Sequence, residues 1–122
     1  MARKPWYLAT PYSAYHTDGS RCEWTEDERF QEACRNAALL IEAGYCVFCP
    51  IAHSHQIDRW GVIEHDAWYA QDNDIIWATD WAGLILAPGW ERSTGCVAER
   101  AVFEERGLPI LTLDEALEAH DA

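Results

Sequence analysis

Chemistry is most concentrated in Pro88-Gly89-Trp-Glu-Arg-Ser93-Thr94-Gly95-Cys-Val-Ala-Glu99. A glycine-containing turn leaves an apolar run here and enters a helical pattern, which puts Ser93, Thr94 and Gly95 at a helix N-terminus. Backbone N–H groups without intrahelical partners, together with the positive end of the helix dipole, suit a phosphate at such a place. Ser93 and Thr94 add hydroxyl donors, and Gly95 lets a ligand approach the backbone closely. Glu99 falls about one turn further on and projects toward the same cleft. A carboxylate beside a bound anion becomes useful as a nucleophile, and a sugar C1′ developing oxocarbenium character is a suitable electrophile. The same spacing also describes Ser93 as an ordinary N-cap and Glu99 as a solvated helix residue.

Asp72 and Asp74 end a long helical stretch and can protonate a departing base or hold its ring nitrogen, or simply form a solvated acidic face. His53, His55, Asp58, His65 and Asp66 raise the question of a metal. Yet His53-x-His55 on a loop fits neither a helical His-x-x-x-His pair nor a cysteine-rich zinc frame, so neither a metal nor an organic cofactor is expected. His53, at the end of the second strand, can instead hydrogen-bond a ligand. Five cysteines scattered through the chain do not form a disulfide framework, and Cys46 and Cys49 read as buried thiols within a strand.

These groups need a scaffold, and the chain alternates apolar strands with helical patterns. Trp6 to Ala9 reads as a first strand. Thr25 with Glu28 forms a capping signal for a helix bearing Phe30, Ala33, Ala37, Leu40 and Ile41, ended by Gly44. Tyr45 to Cys49 is a second strand closed by Pro50, followed by a histidine-bearing loop over Ile51 to Asp58. A helix from about Val62 to Ala78, a third strand from Ala82 to Ala87, a helix from Thr94 to Arg106 and a fourth strand from Leu108 to Leu111 follow. Asp114 caps a last short helix. This alternation predicts one α/β domain over residues 1–122, flavodoxin-like or Rossmann-like, with a parallel sheet of four or five strands between helices. Ligands in such sheets bind beyond the carboxyl ends of the strands.

Composition limits the partners. A formal net charge of −12 excludes a basic face for a nucleic-acid polymer or an anionic membrane, while leaving room for a small phosphorylated ligand. No apolar run approaches the roughly 20 residues that span a bilayer, so a soluble, cytoplasmic protein is expected.

Three segments together resemble the nucleoside 2-deoxyribosyltransferase superfamily, most closely its DUF1937 branch. They are Tyr7-Leu-Ala-Thr-Pro-Tyr12-Ser13, Val47-Phe-Cys-Pro-Ile-Ala-His53-Ser-His55 and Gly89-Trp-Glu-Arg-Ser93-Thr-Gly95-Cys-Val-Ala-Glu99. The resemblance implies that Glu99 is the nucleophile and that Tyr7 orients it. It also implies that Asp72, eight residues before Asp80, is the acid near the base. At the position of Ser93 the free-nucleoside transferases carry an aspartate, and the related 5′-monophosphate N-glycosidases a serine. A (deoxy)nucleoside 5′-monophosphate is therefore the expected substrate, with Ser13 and Arg92 helping to hold its phosphate. The chain lacks the Gly-Gly-Arg-type loop of those hydrolases and has Ala14-Tyr-His-Thr-Asp-Gly instead. Members form dimers or higher oligomers, and Trp68 and Trp77 are compatible with an interface or with a core. The alternatives are a phosphoribohydrolase of the cytokinin-activating type and a non-catalytic nucleotide-binding module.

Overall fold

The computed structural model describes residues 3–12, 25–61 and 63–121. Four strands, β1 (Trp6–Ala9), β2 (Val47–Phe48), β3 (Gly83–Leu86) and β4 (Ile110–Thr112), form one parallel sheet in the order β2-β1-β3-β4. Five helices flank it: α1 (Glu26–Glu42), α2 (Pro50–Asp58), α3 (His65–Ala78), α4 (Thr94–Glu105) and α5 (Leu113–Asp121). This is the expected α/β architecture. The chain steps from β1 outward to β2, then returns across β1 to β3 and β4, so the order reverses between β1 and β3. Loops leaving those two strands diverge there and open a crevice.

Strand alternation sorts the core into two layers. Leu8 and Ile85 point to one face, where Ala33 and Leu40 of α1 and Leu113 and Ala116 of α5 cover them. Tyr7, Leu84 and Leu86 point to the other, against Ile76, Trp81, Cys96 and Phe103. At the edge of that packing Gly83 is hemmed in: a Cβ there would stand 2.5 Å from the Pro109 carbonyl oxygen and from the Trp6 ring.

Local signals explain most boundaries. Thr25 and Glu28 form the expected capping box, with Glu28 N–H donating to Thr25 Oγ1 at 3.1 Å and Thr25 N–H to Glu28 Oε1 at 3.0 Å. Ile41, expected on the packed stripe of α1, is instead 57% exposed, because the buried seam runs through Ala33, Asn36 and Leu40. The segment expected to be a histidine-bearing loop is α2. Pro50 ends β2 by standing at the first helical turn, where its missing N–H has no intrahelical role to lose. The last helix also differs. Thr112 and Glu115 exchange backbone and side-chain hydrogen bonds of 2.8 and 3.1 Å, so Thr112 is the capping residue and Asp114 sits inside the first turn. The expected start of the third helix at Val62 lies outside the described residues. Cys49 is buried as expected, whereas Cys46 is only partly buried, and both flank the two-residue β2 rather than lie within it; Cys96 is buried and Cys34 partly so.

Candidate functional site

The crevice between the β1 and β3 loops deepens into a cavity of about 650 Å³. Its lining brings together residues far apart in sequence, among them Thr10 after β1, Asp72 of α3 and Ser93, Thr94, Gly95 and Glu99 at the start of α4. Gly89 makes this possible. Its φ of +88° turns the chain after β3 into a short 3-10 turn (Trp90–Arg92) and aims α4 back at the carboxyl ends of the strands.

Ser93 caps α4, its Oγ accepting from Cys96 N–H at 3.3 Å. That bond uses an oxygen lone pair and leaves the hydroxyl hydrogen available to a ligand, so the cap and the ligand-binding roles are compatible. Thr94 and Gly95 follow as the first helical residues, whose N–H groups have no intrahelical partners, and both residues line the cavity.

Glu99 lies one turn deeper, where part of the residue meets the cavity and its carboxyl is enclosed. Burial pushes that carboxyl up to about 8; a hydrogen bond from Tyr7 opposes the shift and the charge of Asp72 adds to it. The Tyr7 hydroxyl donates to Glu99 Oε2. Tyr7 is itself raised well above its ordinary value, first by burial and then by the Glu99 and Asp72 charges, so it stays a donor at any ordinary pH. Its ring is fixed by edge contact with Trp81 at 5.2 Å and tilted contact with Phe103 at 5.6 Å between centroids. A buried strand thus holds the phenol that holds the carboxylate.

Asp72 stands across the cavity on α3. Burial raises its carboxyl, and the neighbouring His53 imidazole opposes that rise. Asp74, two residues on, is exposed and away from the lining. Burial thus raises both carboxyls in one enclosure, and the Asp72 charge further disfavours ionisation of Glu99. Cys96 belongs to the same environment, its thiol pushed up to about 12 by burial and then by Glu99.

The remaining expected residues are placed differently. His53 is exposed on α2 and packs against Phe48 at 6.2 Å between ring centroids. Arg92 is exposed on the 3-10 turn, outside the lining. Ser13 lies outside the described residues. Among the described residues no group of three or more His, Cys, Asp or Glu is arranged to hold a metal ion.

The cavity also recruits residues to which the sequence reading gave another role, such as His55, Asp58 and Trp68, or none, such as Tyr69 and Asn73. Trp68 and Tyr69 of α3 form an aromatic wall beside Asn73. Trp68 Nε1 donates to Asp58 Oδ1 at 2.9 Å, which ties α3 to the end of α2. At the rim His55 stacks on Phe30 at 4.2 Å, bonds Tyr12 through Nδ1 at 2.8 Å and lies 3.6 Å from Asp27. Tyr12 is pushed up to about 12 by burial and by Glu26, Asp58 and Asp27. Only the fold brings these residues together, because they come from four segments and α2 carries no apolar period that would mark it as a helix.

Among the described residues no helix is long and apolar enough to cross a membrane. No curated protein matches the chain. A family described as a domain of unknown function, DUF1937, matches residues 4–115, a span that includes Tyr7, Asp72, Ser93 and Glu99. The chain is a member of the DUF1937 family.

Proposed function

We propose that the protein breaks the N-glycosidic bond of a (deoxy)nucleoside 5′-monophosphate through a covalent glycosyl-glutamate. The observation that carries this reading is an enclosed glutamate, held by a tyrosine, facing a second carboxyl across a cavity that ends at a helix N-terminus. The resemblance to nucleoside 2-deoxyribosyltransferases and 5′-monophosphate N-glycosidases assigns the same roles to these positions.

The phosphate rests at Ser93 to Gly95, and the base lies toward Trp68, Tyr69 and Asn73. Glu99, ionised, attacks C1′. The C1′–N bond breaks with its electron pair going to the base nitrogen, and Asp72 donates the proton that makes the base a neutral leaving group. Tyr7 holds Glu99 in line through its hydrogen bond. In the second step a water adds to C1′, gives its proton to the Asp72 carboxylate and displaces Glu99, releasing the sugar phosphate. A second base taking the water's place makes the same protein a transferase. The reading includes self-association, which the half-exposed Tyr69 and Trp77 of α3 support.

Incubation with ribo- and deoxyribonucleoside monophosphates should release free base. Glu99→Gln keeps the shape, loses the charge and should cut turnover by about a thousandfold or more. A variant that keeps more than about a tenth of wild-type turnover would show that Glu99 is not the nucleophile. Binding of intact nucleotides without release of base, unchanged by Glu99→Gln, would identify a binding module.

A further inference from the structure

The helix that carries Asp72 is gripped at its C-terminus by two side chains from other elements. α3 ends at Ala78 with no basic residue in its last turn, and the carbonyls at a helix C-terminus lack intrahelical donors. Arg106, the residue that caps α4, reaches across to them. Its Nη1 donates to Ile76 O at 2.5 Å and its Nη2 to Thr79 O at 3.1 Å. The positive charge suits the negative end of the helix, and the guanidinium also packs over the Trp77 ring, 5.3 Å from its centroid. Trp81, two residues before β3, donates Nε1–H to the same Ile76 oxygen at 2.9 Å. One carbonyl thus accepts two bonds, and its two lone pairs allow both.

That carbonyl lies one turn from the expected acid. Asp72 and Ile76 are four residues apart, so they share a face of α3, and both line the cavity. The Ile76 side chain is buried in the same core layer as Trp81 and Phe103. Slipping α3 by one residue would move Asp72 about 1.5 Å along the helix axis and turn it by about 100°. Trp81 also supports the other carboxyl. Its ring meets Tyr7 edge-on, 5.2 Å between centroids at 84°, and the Tyr7 hydroxyl donates to Glu99. One indole therefore touches both the phenol that holds Glu99 and the carbonyl one turn from Asp72. Arg106 joins the same two parts by another route, since α4 carries Glu99 and ends at the guanidinium that grips α3.

We propose that Trp81 and Arg106 are positioning residues that clamp the Ile76 carbonyl and thereby hold Asp72 in fixed register with Glu99 across the cavity. The chemistry they serve rests on the glycosidase reading, but the clamp on the two carboxyls does not. Neither side chain lines the cavity, so both act through α3. They keep the helix from turning or sliding while a proton passes from Asp72 to the departing base, a transfer that tolerates little displacement.

The test uses Trp81→Phe, which keeps an aromatic ring beside Tyr7 and loses the N–H, and Arg106→Met, which keeps the stem and loses both donors. Each is made in the wild-type protein and in Asp72→Asn. Glu99 is titrated by carboxyl-carbon NMR without substrate. The difference in its midpoint between proteins with and without the Asp72 charge reads how strongly Asp72 acts on it. That difference should shrink when either clamp residue is replaced, because a loosened α3 no longer holds Asp72 in place, and direct effects of each substitution on Glu99 cancel in the comparison. An unchanged difference in either folded variant overturns the proposal. With active protein, both variants should lower kcat/KM for a natural nucleotide by about tenfold or more and spare a nitrophenyl glycoside of the same sugar phosphate. In Asp72→Asn they should cost the nucleotide nothing further, since no proton donor remains to be placed. An equal loss on both substrates, or a full further loss in Asp72→Asn, overturns the proposal and assigns the two side chains to stability. If Trp81→Phe does not fold, Arg106→Met decides on both measurements. If no nucleotide releases base, the glycosidase reading falls and the NMR difference alone decides the clamp, shrinkage supporting it and constancy overturning it.

Discussion

A glutamate proposed to react as a carboxylate is held toward its neutral form by its surroundings. The folded carboxyl of Glu99 titrates at about 8, against 4.5 for an unperturbed glutamate. Between those values the folded protein keeps a proton that the unfolded chain has released. Stability from this group is complete below the unfolded value and is lost as pH rises through about 8. Each pKa unit corresponds to about 1.4 kcal/mol, so a few kcal/mol are involved. Urea unfolding followed from roughly pH 5 to pH 9 should show stability falling, and Glu99→Gln, neutral throughout, should flatten that slope. Activity needs Glu99 ionised and Asp72 protonated together, so kcat/KM of the free protein should be bell-shaped and fall as pH rises past about 8, where both carboxyls have lost their protons. Asp72→Asn removes one of the charges that raise Glu99 and should lower the pH at which that carboxyl titrates. The same variant separates the two carboxyls by leaving group: it should slow a natural nucleotide by about a hundredfold or more yet spare a nitrophenyl glycoside, whose departure needs no proton. Glu99→Gln should damage both, and a selective effect at Asp74→Asn would move the acid to the exposed face.

At the level of elements, the two halves of the constellation are anchored unequally. Glu99 rides on α4, which packs against β3 and β4, whereas α3, carrying Asp72, makes sparse backbone contacts with every other element. Ile76 is its buried anchor, and the Trp68–Asp58 hydrogen bond ties it to α2. Amide exchange should therefore be faster along α3 than along α4, and a bound nucleotide should protect α3 the more. Element by element, legibility followed the strength of the local signal. β1, the α1 capping box and the Ser93 cap could be read because each is written within a few consecutive residues. α2 could not. Pro50 resembles a terminator, and His53-Ser-His55-Gln has no apolar period, since this helix packs on α1 with few of its residues buried. Spacing alone placed Asp72 and Asp74 on equal terms; the resemblance favoured Asp72, and the fold sets Asp72 in the cavity lining while Asp74 is exposed.

For the molecule as a whole, a net charge of −12 surrounds a site expected to admit a dianion. Approach should be slowed at low salt, where the Debye length at about 0.01 M is ~30 Å, and eased at about 0.15 M, where it is ~8 Å. The enclosed carboxyls are screened far less, so kcat/KM for a monophosphate should rise over that range while kcat stays nearly constant. A falling kcat/KM would mean that an exposed cationic patch dominates the encounter instead. The strand order also governs how the chain can mature. β1 leaves the ribosome before its partners, yet both of its neighbours, β2 and β3, arrive much later, and the Tyr7–Glu99 bond closes over 92 positions. Loop-closure entropy has to be met before such distant contacts yield any stability, which makes folding slow and late. Until β3 has emerged, this internal strand has one short companion and no helix α4 to cover it. A nascent chain at that stage has neither Glu99 nor its helix, so the enclosed carboxyl and the cavity around it should form only with the last third of the polypeptide.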